Sequence, residues 1–377
     1  MQRIYFDNAA TTSLDPEVLE AMMPYLTEKF GNPSSIYSYG RETRIAIETA
    51  RKSVARILGC KPAEIFFTSG GTESSNTAIR AAVHDLGCTH IISSPIEHHA
   101  TLHTIEALAK FADASLDFVR LKEHGHIDLQ HLEELLKAHN GNTLVTLMHA
   151  NNELGNILDV KQVGLLCEQY KAYFHCDMVQ TIGHYPINLH EIPVHFVSAA
   201  SHKFHGPKGV GMLYVNENVR IRPLLEGGSQ ERNMRAGTEN LYGIVGFAKA
   251  LELASSRFEQ DSQYIQSLKN YMCSRINENF PQASCNGDTL GESLYTVLNV
   301  SFPKSDKSEM LLFNLDIGGV CVSGGSACSS GATSVSHVIK ALYNGHSEQM
   351  VPIRFSFSRY NTQEEVDFVI EKLKELV

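Results

Sequence analysis

The stretch Ala199-Ala-Ser-His-Lys203-Phe-His-Gly-Pro-Lys-Gly-Val-Gly-Met212 carries the first sign of how this chain folds. An apolar run, Phe196-Val-Ser-Ala-Ala200, predicts a strand end, and Gly206, Pro207 and Gly209 force a turn just after it. A second run, Val210-Gly-Met-Leu-Tyr-Val215, predicts a returning strand. Lys203 therefore sits at a strand exit, the place where open α/β sheets put their chemistry. Wedged between His202 and Phe204-His-Gly-Pro207, it is well placed to be partly desolvated, as a neutral, imine-forming amine requires. A turn lysine that merely keeps the loop soluble carries the same local signature, so the rest of the chain must decide.

Outward from this turn, strands are expected near 90–93, 116–120, 144–149 and 173–176. Helices are expected between them near 101–111, 129–138 and 160–170. Such alternation predicts an α/β fold, a mostly parallel sheet wrapped by helices, with the two strands flanking Lys203 finishing that sheet. A helical segment over 242–279 leads onward, and its polar middle, Ser255-Ser-Arg-Phe-Glu-Gln-Asp261, suggests a boundary. The expected division is a large domain over 16–254 and a smaller α+β domain built from 1–15 and 255–377.

Composition narrows the function. The 377 residues are 43% hydrophobic and 20% charged, the balance of a soluble globular chain. A formal net charge of −10 argues against nucleic acid as a partner. No apolar run is long enough to span a membrane, and Met1-Gln-Arg-Ile-Tyr-Phe-Asp7 lacks a signal core, so a cytoplasmic protein is expected. The eight cysteines show neither C-x-x-C pairs nor zinc spacing, and most read as small core residues. Cys328 differs, because Ser323-Gly-Gly-Ser-Ala-Cys-Ser-Ser-Gly-Ala332 has the composition of a loop. A thiol there is either a tolerated surface cysteine or a working one.

Polar groups recur at strand exits. Ser69-Gly-Gly71-Thr72-Glu73 places two glycines and a hydroxyl at a helix N-terminus, a phosphate cradle or an ordinary tight turn. With no following Lys-Ser/Thr and no G-x-G-x-x-G, neither an NTP nor a dinucleotide is indicated. Asp177 ends the apolar strand Tyr173-Phe-His-Cys-Asp177 and needs a partner, a protonated pyridine nitrogen or a helix N-terminus. Gln180, three residues on, can reach a neighbouring ring oxygen. His98, beside His99, can stack on a flat heteroaromatic ring. No third ligand is near in sequence, so no metal is expected there. Asn152 follows the next strand in the same way. Thr72, His98, Asn152, Asp177 and Lys203 should all project from one carboxyl edge, and together they describe a pyridoxal phosphate site.

The chain resembles the cysteine desulfurases, pyridoxal-phosphate enzymes of fold type I in the class V aminotransferase group. The matching motifs are Tyr5-Phe-Asp-Asn-Ala-Ala-Thr-Thr12, Phe30-Gly-Asn-Pro-Ser-Ser35, Phe67-Thr-Ser-Gly-Gly-Thr-Glu-Ser74, Glu97-His98, Asn151-Asn-Glu153 and Asp177 with Gln180. They continue with Ser201-His-Lys203, Gly206-Pro-Lys-Gly209, Arg235-Ala-Gly-Thr238, Ser323-Gly-Gly-Ser-Ala-Cys328 and Ile353-Arg-Phe-Ser356, in family order over nearly the whole chain.

The resemblance implies a seven-stranded, mostly parallel sheet and pyridoxal 5'-phosphate as cofactor. Lys203 matches the Schiff-base lysine, Asp177 the partner of the pyridinium, His98 the stacking residue and Gln180 the contact to the phenolic oxygen. Gly71, Thr72 and His202 match the phosphate site, joined by Thr238 from a second subunit, which implies a homodimer. Asn152 and Arg354, with Asn32 nearby, match the groups that bind the carboxylate of L-cysteine. Cys328 matches the thiol that receives sulfur as a persulfide, in the subgroup with a mobile cysteine loop. The implied reaction yields L-alanine and passes sulfur to an acceptor protein, for iron–sulfur cluster assembly or another use. Selenocysteine lyase or another class V enzyme is the nearest alternative.

The family has a phosphate-binding serine three residues before the lysine, where this chain has Ala200; Ser201, one position off, is the candidate replacement. The chain stops at Val377, so docking of an iron–sulfur scaffold through a C-terminal extension is not expected.

Overall fold

The computed structural model describes residues 3–139, 142–305, 308–324, 336–343 and 349–377. Its strands are β1 (Ile4–Tyr5), β2 (Ile65–Thr68), β3 (His90–Ser93), β4 (Ser115–Phe118), β5 (Thr143–Met148) and β6 (Tyr173–Asp177). They continue with β7 (Phe196–Ala200), β8 (Gly211–Val215), β9 (Ser284–Asn286), β10 (Val297–Pro303), β11 (Val320–Cys321) and β12 (Met350–Ser356).

Seven strands form the main sheet in the order β2-β8-β7-β6-β5-β3-β4. Only β8 runs against its neighbours; the contacts from β7 through β4 are parallel. β3, β5 and β7 are buried along their whole length, as strands covered by helices on both faces must be. The hairpin around Lys203 does not finish the sheet in space, because β2, the first of the seven in the chain, pairs with the far side of β8. Every residue of β8 is buried, in keeping with its place between β2 and β7. The two edge strands are β2, buried along its length, and β4 beyond β3, which starts and ends exposed.

Gly211 lets β8 start where it does. A Cβ there would come within 2.6 Å of the Ala199 carbonyl oxygen and of Gly70 Cα. The glycine thus brings the Gly70-Gly71 turn against the hairpin that carries Lys203.

Helix Leu241–Asn279 runs unbroken for 39 residues, so the polar stretch 255–261 lies in mid-helix. That stretch contains no Gly or Pro to break it. Its first half buries Ile244, Phe247 and Leu251 in the core beneath the main sheet. Its second half buries Ile265, Leu268, Met272 and Ile276 in a separate core with β10 and β12. There, β9, β10 and β12 form an antiparallel sheet, and β1 pairs with β11. The N-terminal segment is stitched to these strands: Ile4 N–H donates to Gly319, and Ser356 N–H donates to Phe6 at 2.7 Å. This delivers residues 7–10 to the carboxyl edge of the main sheet.

Candidate active site

Because parallel strands all end on the same side, their exits converge. A cavity of about 250 Å³ there is lined by Gly71 and Thr72 after β2, His98 after β3 and Asn152 after β5. Asp177 and Gln180 at the end of β6, His202 and Lys203 after β7, and Arg354 of β12 complete the wall.

Lys203 ends a short turn, Ser201–Lys203, pinned to the N-terminal segment where Thr12 N–H donates to the His202 carbonyl at 2.9 Å. Its Nζ donates to the Ala9 carbonyl at 2.7 Å and the Ala10 carbonyl at 2.9 Å. Gln180 Nε2 donates to that same Ala9 oxygen at 3.1 Å. These carbonyls hold the amine at the cavity wall.

Asp177 is buried, and its Oδ1 accepts from Val179 N–H at 2.9 Å. Burial pushes its carboxyl up to about 6, against the opposing pull of that hydrogen bond and the Lys203 charge. A carboxylate so placed favours a cationic partner. His98 caps helix His99–Phe111, its Nδ1 accepting from Ala100 N–H at 3.1 Å. That bond puts any ring proton of the neutral imidazole on Nε2. Burial first, then the Lys203 charge, holds His98 down at about 4, so the ring is neutral near pH 7. Burial and Lys203 likewise hold His202 down at about 4.

Helix Gly71–His84 opens onto the cavity, and the N–H groups of a first turn have no partner within their own helix. A Cβ on Gly71 would meet Val179 Cγ2 at 2.6 Å, so glycine keeps this approach open. On the opposite wall, Arg354 is buried; its Nη1 donates to the Asn152 carbonyl and its Nη2 to Asp7 Oδ1, both at 2.8 Å. Arg354 Nε is buried and has no partner among the described residues, a donor suited to a carboxylate. An anion cradle, a carboxylate in want of a cation, a neutral imidazole and a tethered amine together fit pyridoxal phosphate, and the spare arginine donor suits an amino-acid substrate.

Three expected residues are not among the cavity's lining, and a fourth lies outside the described residues. The Ser201 hydroxyl donates to the Pro207 carbonyl and braces the turn, and Ala200 faces the cavity instead, because adjacent residues point to opposite sides. Asn32 is exposed, its Oδ1 accepting from Ser34 N–H at 2.9 Å. Thr238 is exposed beside a separate depression with Arg235 and Asn240. Cys328 lies outside the described residues. The chain on either side of its segment is described: Arg354 N–H donates to the Ser323 carbonyl at 2.7 Å, and His337 lines the cavity.

Several contributors had no role assigned from the sequence. The Ala9 and Ala10 carbonyls and Asp7 lie in the motif Tyr5–Thr12, whose match to the family was the available signal. His337 packs its ring 4.6 Å from that of His99, and Glu153 is a buried carboxyl that burial pushes above its usual range.

The family described as "Aminotransferase class-V" matches residues 4–369. The "Cysteine desulfurase IscS" of Dictyoglomus turgidum is 41% identical over 378 residues, covering 100% of this chain and 95% of that protein. A solved "NIFS-LIKE PROTEIN" superposes with a TM-score of 0.90 at 37% identity, covering 99% of each chain. A structure described as "SspA in complex with cysteine" gives a TM-score of 0.82 at 33% identity, covering 95% of this chain and 99% of that one. Likeness of this depth, over the strands that build the cavity as well as the segments that line it, makes the chain a member of the class V aminotransferase family, whose members work with pyridoxal phosphate.

Proposed function

We propose that this protein is a cysteine desulfurase that converts L-cysteine to L-alanine and takes the sulfur onto Cys328. The observation that carries this is the placement of the chain flanking Cys328. Ser323 is backbone-paired with Arg354 and His337 lines the cavity, so the described residues before and after the segment that carries the thiol both lie at the substrate wall. The full-length relatives bearing the desulfurase name support the same assignment.

Pyridoxal phosphate, when bound, supplies an electron sink for the substrate carbon. Gly71, Thr72 and His202 would hold its phosphate, Asp177 its ring nitrogen, Gln180 its phenolic oxygen and His98 one face of its ring. Lys203 anchors the cofactor and moves the proton at the substrate Cα. Arg354, with Asn152 beside it, holds the substrate carboxylate. The Cys328 thiolate attacks the substrate sulfur, so an S–S bond forms as the Cβ–S bond breaks. The carbon is protonated, alanine leaves, and a persulfide remains, with no external oxidant or reductant needed.

The persulfide then passes to an acceptor protein. A homodimer accounts for Thr238, exposed and away from its own cavity, which a second copy would lend to the phosphate. The seven described cysteines are free thiols, in keeping with a reducing cytoplasm. Among the described residues no helix is long and apolar enough to cross a membrane.

The test is Cys328→Ala. Alanine and sulfide production should fall to background with L-cysteine and a thiol reductant, while the absorbance of bound cofactor stays. Unchanged turnover would overturn the assignment.

A further inference from the structure

Behind the cavity, one short run of chain follows Asp177, the last residue of β6, and carries Gln180 before it ends at His184. It is closed by its own backbone. Thr181 and Ile182 N–H donate to the Met178 carbonyl, and His184 and Tyr185 N–H donate to that of Thr181, all at 2.9–3.0 Å. Asp177, Gln180 and His184 therefore sit on one braced unit.

His184 Nε2 lies 3.0 Å from the main-chain carbonyl oxygen of Lys203. A carbonyl only accepts, so Nε2 carries the ring proton and donates it. Gly183 makes this approach possible. Its φ is +81°, and a Cβ there would meet Phe204 Cγ at 2.5 Å. The turn Ser201–Lys203 closes with Phe204 N–H donating to the Ser201 carbonyl, which leaves the Lys203 carbonyl to be held by another group.

The far side of the ring meets Tyr295, from the segment just before β10. Its hydroxyl donates to the His184 carbonyl at 3.0 Å and lies 3.2 Å from Nδ1. Tyr295 is buried, so this hydroxyl depends on His184 rather than on water. Burial also holds the His184 ring below its usual pKa, which favours the neutral form with Nδ1 as acceptor.

We propose that His184 is a positioning residue for Lys203, fixing the lysine's main chain relative to Asp177 and Gln180. This role rests on Lys203 being the cofactor's anchor, which Lys203→Ala tests by itself. The amine has to meet the substrate Cα at reacting distance, and a misplacement of about 1 Å costs on the order of 10²-fold in rate. A donor on the same braced unit as Asp177 and Gln180 keeps the amine in step with the groups that would hold the ring.

The test compares wild type with His184→Leu and with His184→Gln, whose amide can donate to the same carbonyl. Two readouts avoid sulfur transfer, so they stand whatever Cys328→Ala shows. One is exchange of the Cα hydrogen of L-alanine into deuterated water by the holoenzyme, followed by NMR. The other is the rate at which cofactor-free protein gains the absorbance of lysine-bound cofactor after pyridoxal phosphate is added. His184→Leu should slow both by about tenfold, the scale of one lost buried hydrogen bond, and His184→Gln should restore most of each. Tyr295→Phe, which keeps the ring and removes the hydroxyl, should slow both several-fold, and KM for L-cysteine should change little throughout. Wild-type rates in His184→Leu, or equal slowing in His184→Leu and His184→Gln, would overturn the proposal. If His184→Leu does not fold, wild-type rates in Tyr295→Phe would overturn it instead.

Discussion

Arg354 Nη2 donates to Asp7 Oδ1 at 2.8 Å, tying the third-to-last residue of β12 to the N-terminal segment where both meet the cavity. The guanidinium is almost wholly buried and its Nη1 is committed to Asn152, so Asp7 sets where its remaining donors point. Arginine–carboxylate bonds of this kind are strong and directional.

Asp7→Ala should therefore raise KM for L-cysteine by roughly tenfold while changing kcat less, as a lost charged hydrogen bond would. Steady-state kinetics with cofactor absorbance as a control would check this. A lower KM would mean that Asp7 competes with the substrate carboxylate.

Lys203→Ala removes the amine that Ala9 and Ala10 hold in place. The expected result is loss of the visible absorbance of lysine-bound cofactor and a fall in turnover of at least about 10²-fold, the scale of a lost general base. If the absorbance persisted, another lysine would be the anchor.

Asp177 adds a pH dependence to the cofactor-free protein. Its folded carboxyl sits at about 6, above the 3.8 of the unfolded chain, so the folded state holds the proton more tightly. Its contribution to stability is present below the unfolded value and is lost as pH rises through about 6. The isosteric Asp177→Asn variant cannot ionise. It should gain on the wild type between pH of about 4 and 6, by up to about 3 kcal/mol at 1.36 kcal/mol per pH unit. Urea unfolding of both proteins across that range would measure the difference, which also cancels the opposing effect of the buried histidines. A constant difference would show that Asp177 titrates alike in both states.

Ala200 and Ser201 make a paired prediction. Ala200 lines the cavity, so Ala200→Ser should restore a phosphate contact and slow cofactor loss on dialysis several-fold, about the worth of one added hydrogen bond. Ser201→Ala should leave cofactor affinity alone and cost about 1–3 kcal/mol of stability, since the Pro207 carbonyl loses its donor. If Ser201→Ala weakened cofactor binding more than it lowered stability, the roles assigned to these neighbours would be reversed.

The sequence by itself determined the alternation of strands and helices and the polar residues waiting at the strand exits. Those features were legible because apolar runs, turn residues and spacing are local. A parallel sheet then carries Thr72, His98, Asn152, Asp177 and Lys203 to one edge without further instruction. Tertiary structure alone decided that β8 lies between β2 and β7, that Ser201 braces a turn, and that the Lys203 amine rests on the Ala9 and Ala10 carbonyls. It also paired Arg354 with Asp7 and set the His184 ring against the Lys203 carbonyl. The physical reason is common to all of these. Backbone carbonyls are the same in every residue, and contacts between distant segments leave no period or spacing in the chain. Only the packed sheet brings such groups within bonding distance.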